Sequence, residues 1–141
     1  MSESLLELGR RILAAQPFSA LLGAELMLFE PGRAELRVPV GPQLRQQNGF
    51  VHGGVLSYLA DNALTYAAGG VLGTEVLTVE FKINYVRPVT GESLTARASL
   101  VSAGRTLAVV RCDIFELREG REALVAAAQG TVSRVERGDR R

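Results

Sequence analysis

The chain has 141 residues, of which 47% are hydrophobic and 22% charged, enough apolar side chain for one folded core and little room for two. Its 16 basic and 15 acidic side chains leave a net charge of +1, which argues against general nucleic-acid binding, because that needs a basic face. Cys112 is the only cysteine and His52 the only histidine, so no internal disulfide and no zinc site of the usual ligand types is expected. The start, Met1-Ser-Glu-Ser-Leu-Leu-Glu, is acidic and has no apolar core, and no apolar run approaches the roughly 20 residues of a membrane span. The expected location is therefore the cytoplasm, away from membranes.

Residues 3–15 place Leu5, Leu6, Leu8, Ile12 and Leu13 between charges, which predicts a short amphipathic helix, with Pro17 as its stop. Residues 22–40 alternate through Ala34, Leu36 and Val38 around a Glu30-Pro31-Gly32-Arg33 turn and predict a hairpin. Residues 41–53 are polar and rich in Gly, Pro and Gln, and so form a loop. Residues 54–72 are the most apolar stretch. Leu56, Leu59, Ala60, Ala63, Leu64 and Ala67 recur at helical spacing, and with so few charges this helix should be wrapped by protein.

Four strands are then expected with no second long helix. Residues 76–86 put Leu77, Val79, Phe81, Ile83 and Tyr85 on one side, with Thr78, Glu80, Lys82 and Asn84 on the other. Strands at 92–102, 105–117 and 122–135 follow, the last two separated by Arg118-Glu119-Gly120-Arg121. Short links predict an antiparallel meander of all four. Cys112 alternates with Ala108, Val110 and Ile114 and reads as a small buried hydrophobe. Residues 136–141 are charged and expected to fray. The fold class is α+β, a single domain over 1–141 with an antiparallel sheet wrapped around one long central helix.

The chemistry concentrates in Gln46-Gln47-Asn48-Gly49-Phe50-Val51-His52-Gly53-Gly54, which leads into that helix. Two glycines at a helix start leave first-turn N–H groups unshielded, where the helix dipole adds positive potential. Such an end can hold an anion or a developing oxyanion, or it can simply permit a tight turn. His52 beside them fits a packing role over the first turn. Asp61 sits mid-helix among apolar residues, where a carboxylate either has a purpose or marks the one solvated face with Asn62 and Thr65. Gly54 and Asp61 share a face about 10 Å apart along the axis. One bond cannot touch both groups of one helix. If both act on it, they come from two chains, as antiparallel helices in a twofold dimer would allow.

The order of polar amide, His52-Gly53-Gly54 and then Asp61 within Leu59-Ala60-Asp61 resembles HotDog-fold acyl-CoA thioesterases, nearest to the phenylacetic-acid-pathway and 4-hydroxybenzoyl-CoA thioesterase type. The resemblance covers most of the chain, from the hairpin to the last strand. It implies a homodimer or a dimer of dimers that hydrolyses an acyl-CoA, or an acyl carrier protein thioester, without a cofactor. Gly53 N–H, joined by Gly54, would polarise the carbonyl, and Asp61 of the other chain would act as nucleophile or general base. Gln46, six residues before His52, would hydrogen-bond the carbonyl or orient His52, with Asn48 as the second amide. Thr78 would position water. Arg87, Arg105 and Thr106 would meet the phosphates of CoA. Phe50, Tyr58 and Tyr66 are candidates for the acyl tunnel or for the core. The rivals are a hydratase-dehydratase and a non-catalytic acyl-CoA-binding module of the same fold.

Overall fold

The computed structural model describes residues 2–136, so most of the tail expected to fray lies outside the described residues. The first helix, α1 (Leu5–Ala14), is capped by the Ser4 side chain, which accepts from Glu7 N–H. Pro17 does not only stop α1. It opens a second helix, α2 (Pro17–Leu22), at the first-turn position where a missing N–H costs nothing. The hairpin follows as β1 (Glu25–Glu30) and β2 (Arg33–Pro39), with Gly32 supplying the positive φ of the turn. The loop holds a single 3-10 turn, Pro42–Leu44, and an isolated bridge between Arg45 and Val51. The central helix α3 (Gly53–Leu72) leads to β3 (Val76–Tyr85), β4 (Ser93–Ala103), β5 (Leu107–Arg118) and β6 (Arg121–Arg134).

All six strands form one antiparallel sheet in the order β1-β2-β4-β5-β6-β3, with α3 packed against every strand. Only β4, β5 and β6 make a meander. The expectation of four consecutive strands fails at β3, which pairs with β6 at the far edge while β4 pairs with β2. The link explains the difference. Val89 is buried, and its carbonyl accepts from Val51 N–H, while Glu92 O accepts from Val40 N–H. Residues 86–92 are thus tied to the helix entry and to β2, so they cross the end of the sheet instead of turning back.

The sheet closes on α3 because α3 is narrow. Ala60, Ala63, Ala67 and Ala68 are fully buried, and their short side chains let the strands approach the helix axis. Leu36, Leu59, Leu64, Leu94, Ile114 and Val132 fill the space between them. Cys112 is buried in that core, and burial pushes its thiol up to about 12, so it is no nucleophile at neutral pH.

The alternation expected along β3 is broken by a bulge. The pairing with β6 shifts between Thr78 and Glu80, beside Gly130, where any side chain would strike the backbone of Glu80 and Phe81. Val76 and Thr78 therefore share the inner face with Phe81 and Ile83, while Leu77, Val79 and Tyr85 are more than half exposed.

Candidate active site

The bulge aims Thr78 at the helix. Its hydroxyl donates to Asp61 Oδ1 at 2.6 Å, and the other carboxylate oxygen makes no hydrogen bond among the described residues. Asp61 and Thr78 stand on the wall of a chamber of about 610 Å³. Ile12, Phe18, Phe29, Tyr58, Tyr66 and Val76 give it a largely apolar lining. Tyr66 is held by donating its hydroxyl to Gly9 O at 2.8 Å, and burial pushes that hydroxyl up to about 12. The chamber follows α3 from Tyr58 to Gly69, about 16 Å along the axis.

The helix start lies the other way. Gly53 opens α3 about 12 Å from Asp61, with His52 as its N-cap. His52 Nδ1 accepts from Gly54 N–H at 2.8 Å, and His52 O accepts from Val55 N–H at 3.0 Å. Gly53 N–H makes no hydrogen bond among the described residues. Of the two glycine donors, Gly54 is thus committed to the cap and Gly53 remains available. Tyr85 from the end of β3 closes over this turn. Its hydroxyl lies 2.7 Å from Ser57 Oγ and donates to Gly53 O at 3.3 Å, and a Cβ on Gly53 would press against its ring.

The structure gathers some of the sequence-predicted residues and disperses others. Asp61 and Thr78 meet, and so do His52, Gly53 and Gly54, but the two groups stand apart on one chain. Gln46 holds its own loop instead of touching His52, its Oε1 accepting from Asn48 N–H and Phe50 N–H. Asn48 is exposed at the tip of that loop. Arg87 shares a groove with Arg118 and Arg121, and with Glu116, Glu119 and Glu122, just beyond Tyr85. Arg105 and Thr106 form the β4–β5 turn, where Thr106 O accepts from Arg134 N–H beside the start of β3. The ten residues of β3 therefore separate Arg87 from Arg105 by about 30 Å. Tyr58 and Tyr66 line the chamber; Phe50 does not.

Two clusters escaped the sequence reading. One is Ser57 with Tyr85. The other is a polar group, Gln16, Ser19, Tyr58 and Asn62, on the chamber wall. A signal for both was present, because Ser57, Tyr58, Asp61, Asn62 and Thr65 follow helical spacing down an otherwise apolar helix.

A six-stranded antiparallel sheet folded around one long buried helix is the HotDog fold. The family model described as the thioesterase superfamily matches residues 48–123, from the loop before α3 into β6. The chain belongs to the thioesterase superfamily. A thioesterase family protein of Silicibacter pomeroyi superposes with a TM-score of 0.87 at 39% identity, covering 92% of this chain and 97% of that one. The medium/long-chain acyl-CoA thioesterase YigI of Escherichia coli is 29% identical over 150 residues, 92% of each chain. The Escherichia coli PaaI protein, at 23% identity and a TM-score of 0.79 over 91% of both chains, shares the fold.

Proposed function

We propose that this protein hydrolyses medium-chain acyl-CoA thioesters at sites built between two copies of the chain. The observation that carries the reading is the placement of Asp61. It stands on the chamber wall about a turn from its Tyr58 end, clasped by Thr78 through one oxygen, with the other oxygen free for the reaction. An acyl chain lying along α3 from Asp61 to Gly69 fills about 12 Å, the length of eight to ten carbons. The medium/long-chain activity named for YigI supports the same size class.

With the acyl group running towards Gly69, the thiol half must leave past Asp61 in the opposite direction. On the same helix the Gly53 donor is about 12 Å away, beyond the reach of the same carbonyl. In a twofold dimer with antiparallel α3 helices, the partner's Gly53 reaches that position. Gly53 N–H then holds the carbonyl oxygen as it takes up charge. The free Asp61 oxygen removes a proton from water attacking the carbonyl carbon, or attacks that carbon itself. When water attacks, the tetrahedral adduct collapses, the C–S bond breaks, and the proton taken by Asp61 passes to the thiolate, releasing CoA and a carboxylic acid; when Asp61 attacks, collapse expels the CoA thiolate and leaves an Asp61–acyl anhydride, which water then cleaves to the carboxylic acid and the free Asp61 carboxylate, its proton going to the thiolate.

The open edge of β3 supports the dimer. Leu77 and Val79 expose 64% and 59% of their surface on an unpaired edge strand, and Leu77 also lines the chamber mouth. A second β3 across this edge would cover both. It would also bring Arg105 and Thr106 of one chain towards Arg87 of the other, as CoA phosphates require, and pairing of two dimers gives a tetramer.

Asp61→Asn keeps the side chain's size and removes its charge. Hydrolysis, followed by thiol release over a panel of short, medium, long and aromatic acyl-CoAs, should fall by about two orders of magnitude or more. Turnover within a few-fold of the original would end the assignment of Asp61.

A further inference from the structure

The chamber is polar at one end and apolar at the other. Tyr58 and Asn62, which flank Asp61 on α3, share hydrogen bonds with Ser19 and Gln16. Towards Gly69 the lining changes to Ile12, Phe29, the ring of Tyr66 and Val76. The Tyr66 hydroxyl does not break this pattern, because it is turned out to Gly9 O. The cross-links run antiparallel, Ser19 to Tyr58, Gln16 to Asn62 and Gly9 to Tyr66, so Ile12 falls on the apolar side of Gln16. A hydrocarbon tail is better placed at that side, and the polar thioester at the other.

Phe29 of β1 stands at the apolar end. A Cβ on Gly70 would lie 3.3 Å from Cε1 of its ring, and a Cβ on Gly9 would lie 2.5 Å from Cδ2. Opposite edges of the ring are therefore set against bare backbone, that of α3 on one side and α1 on the other. Tyr66 stands edge-on to the same ring, 5.2 Å between centroids. The ring is only 8% exposed, and it lines the chamber. Immediately past it, Gly70 packs on Glu30 and Pro31 of the hairpin turn, where even a methyl group lacks room.

We propose that Phe29 closes the tail end of the chamber and sets the upper length of the acyl group. The inference rests on the thioesterase reading above, with the thioester at Asp61 and the tail running towards Gly69. A tail that spans the roughly 12 Å between them ends at the ring. A longer tail has to push the ring aside, and the ring has no slack, because backbone stands at both of its edges. Long chains are thus rejected in binding and not in the chemical step, which takes place at the other end.

The test compares Phe29→Leu, Phe29→Met and Phe18→Leu with the original chain, using octanoyl-, dodecanoyl- and hexadecanoyl-CoA. Phe29→Leu should raise the hexadecanoyl-to-octanoyl ratio of kcat/KM by about tenfold, chiefly through a lower KM for the long substrate. That is a gain which mere damage to the fold does not produce. Phe18→Leu makes the same change at the polar end, where Phe18 stands edge-on to Tyr58, and should leave the ratio as it is. Phe29→Met, with a flexible side chain of similar volume, should shift the ratio in the same direction by less, and it decides the matter if circular dichroism melts show that Phe29→Leu has lost its fold. Equilibrium binding of the same three acyl-CoAs is measured in parallel on each variant carrying Asp61→Asn, where turnover does not interfere. Tighter binding of hexadecanoyl-CoA by the Phe29 variants, with no hydrolysis by any chain that keeps Asp61, would uphold the end wall and sink the thioesterase reading. Hydrolysis with a chain-length profile that Phe29→Leu leaves unchanged, or that Phe18→Leu shifts equally, would overturn the end wall and leave the thioesterase standing. A chain that neither binds nor cleaves any of the three would overturn both.

Discussion

Asp61 is a carboxylate on a helix otherwise built to be wrapped, and a single hydroxyl fixes which way it points. The 2.6 Å bond from Thr78 occupies Oδ1 and leaves the other oxygen to the chamber. A hydrogen bond to a charged group contributes roughly 1.5–3 kcal/mol, which corresponds to about ten- to a hundredfold in rate if it is needed only to aim the reacting oxygen. Thr78→Val, which keeps the shape and removes the donor, should therefore lower kcat for octanoyl-CoA by about that factor and change KM much less, since the hydroxyl touches the carboxylate and not the acyl chain. Steady-state kinetics check this. A kcat near the original would mean that packing alone aims Asp61.

At the scale of elements, α3 combines two demands, a surface that the sheet can approach and a groove that stays open. Its neighbouring glycines Gly69 and Gly70 answer them separately. A Cβ on Gly69 would meet nothing closer than Val76 at 3.8 Å, whereas one on Gly70 would come within 3.0 Å of Glu30 O and 3.1 Å of Pro31 in the hairpin turn. Gly69→Ala should accordingly stabilise the fold by roughly 0.5–1 kcal/mol through helix propensity, and it places a methyl group on the chamber wall, which should weaken cleavage of the longest substrates. Gly70→Ala should destabilise by about 1–3 kcal/mol, because backbone has to move. Urea unfolding of the two variants distinguishes the signs, and equal midpoints would show that the helix-to-hairpin contact is looser than these distances imply.

At the scale of the whole molecule, the continuous helix from Gly53 to Leu72 fixes the separation of the Asp61 carboxylate from the Gly53 N–H, and no side-chain movement can close about 12 Å. Complementation tests the consequence. Asp61→Ala removes the carboxylate, and Gly53→Pro removes the backbone donor at a first-turn position whose φ proline suits, its ring displacing Tyr85 by a few tenths of an ångström, with Gln46→Ala as the gentler partner lesion. Each variant alone should be nearly inactive. After the two are unfolded together and refolded, about half of the dimers should be mixed, each holding one intact site of two, so about a quarter of the original activity should return. No recovery, with both variants still dimeric by sedimentation, would place both groups in one subunit.

Much of this molecule was legible in residue order. The apolar run of 54–72 with its small side chains had to become a wrapped helix, and the Pro31-Gly32 turn had to join two strands, because periodicity and turn chemistry are local properties. Gly53 and Asp61 stood out in the sequence as well, since a charge inside an apolar helix and a glycine pair at its start differ from their neighbours. What residue order could not fix was which strand lies beside which. That depended on Val89 being buried and tied to Val51 across the chain. Nor could strict alternation foresee the face on which Thr78 emerges, because the bulge that turns it towards Asp61 depends on Gly130 of a strand some fifty residues away. The polar group of Ser19, Tyr58 and Asn62 was hidden for the same reason: hydrogen bonds between distant side chains exist only once packing has brought α2 against α3.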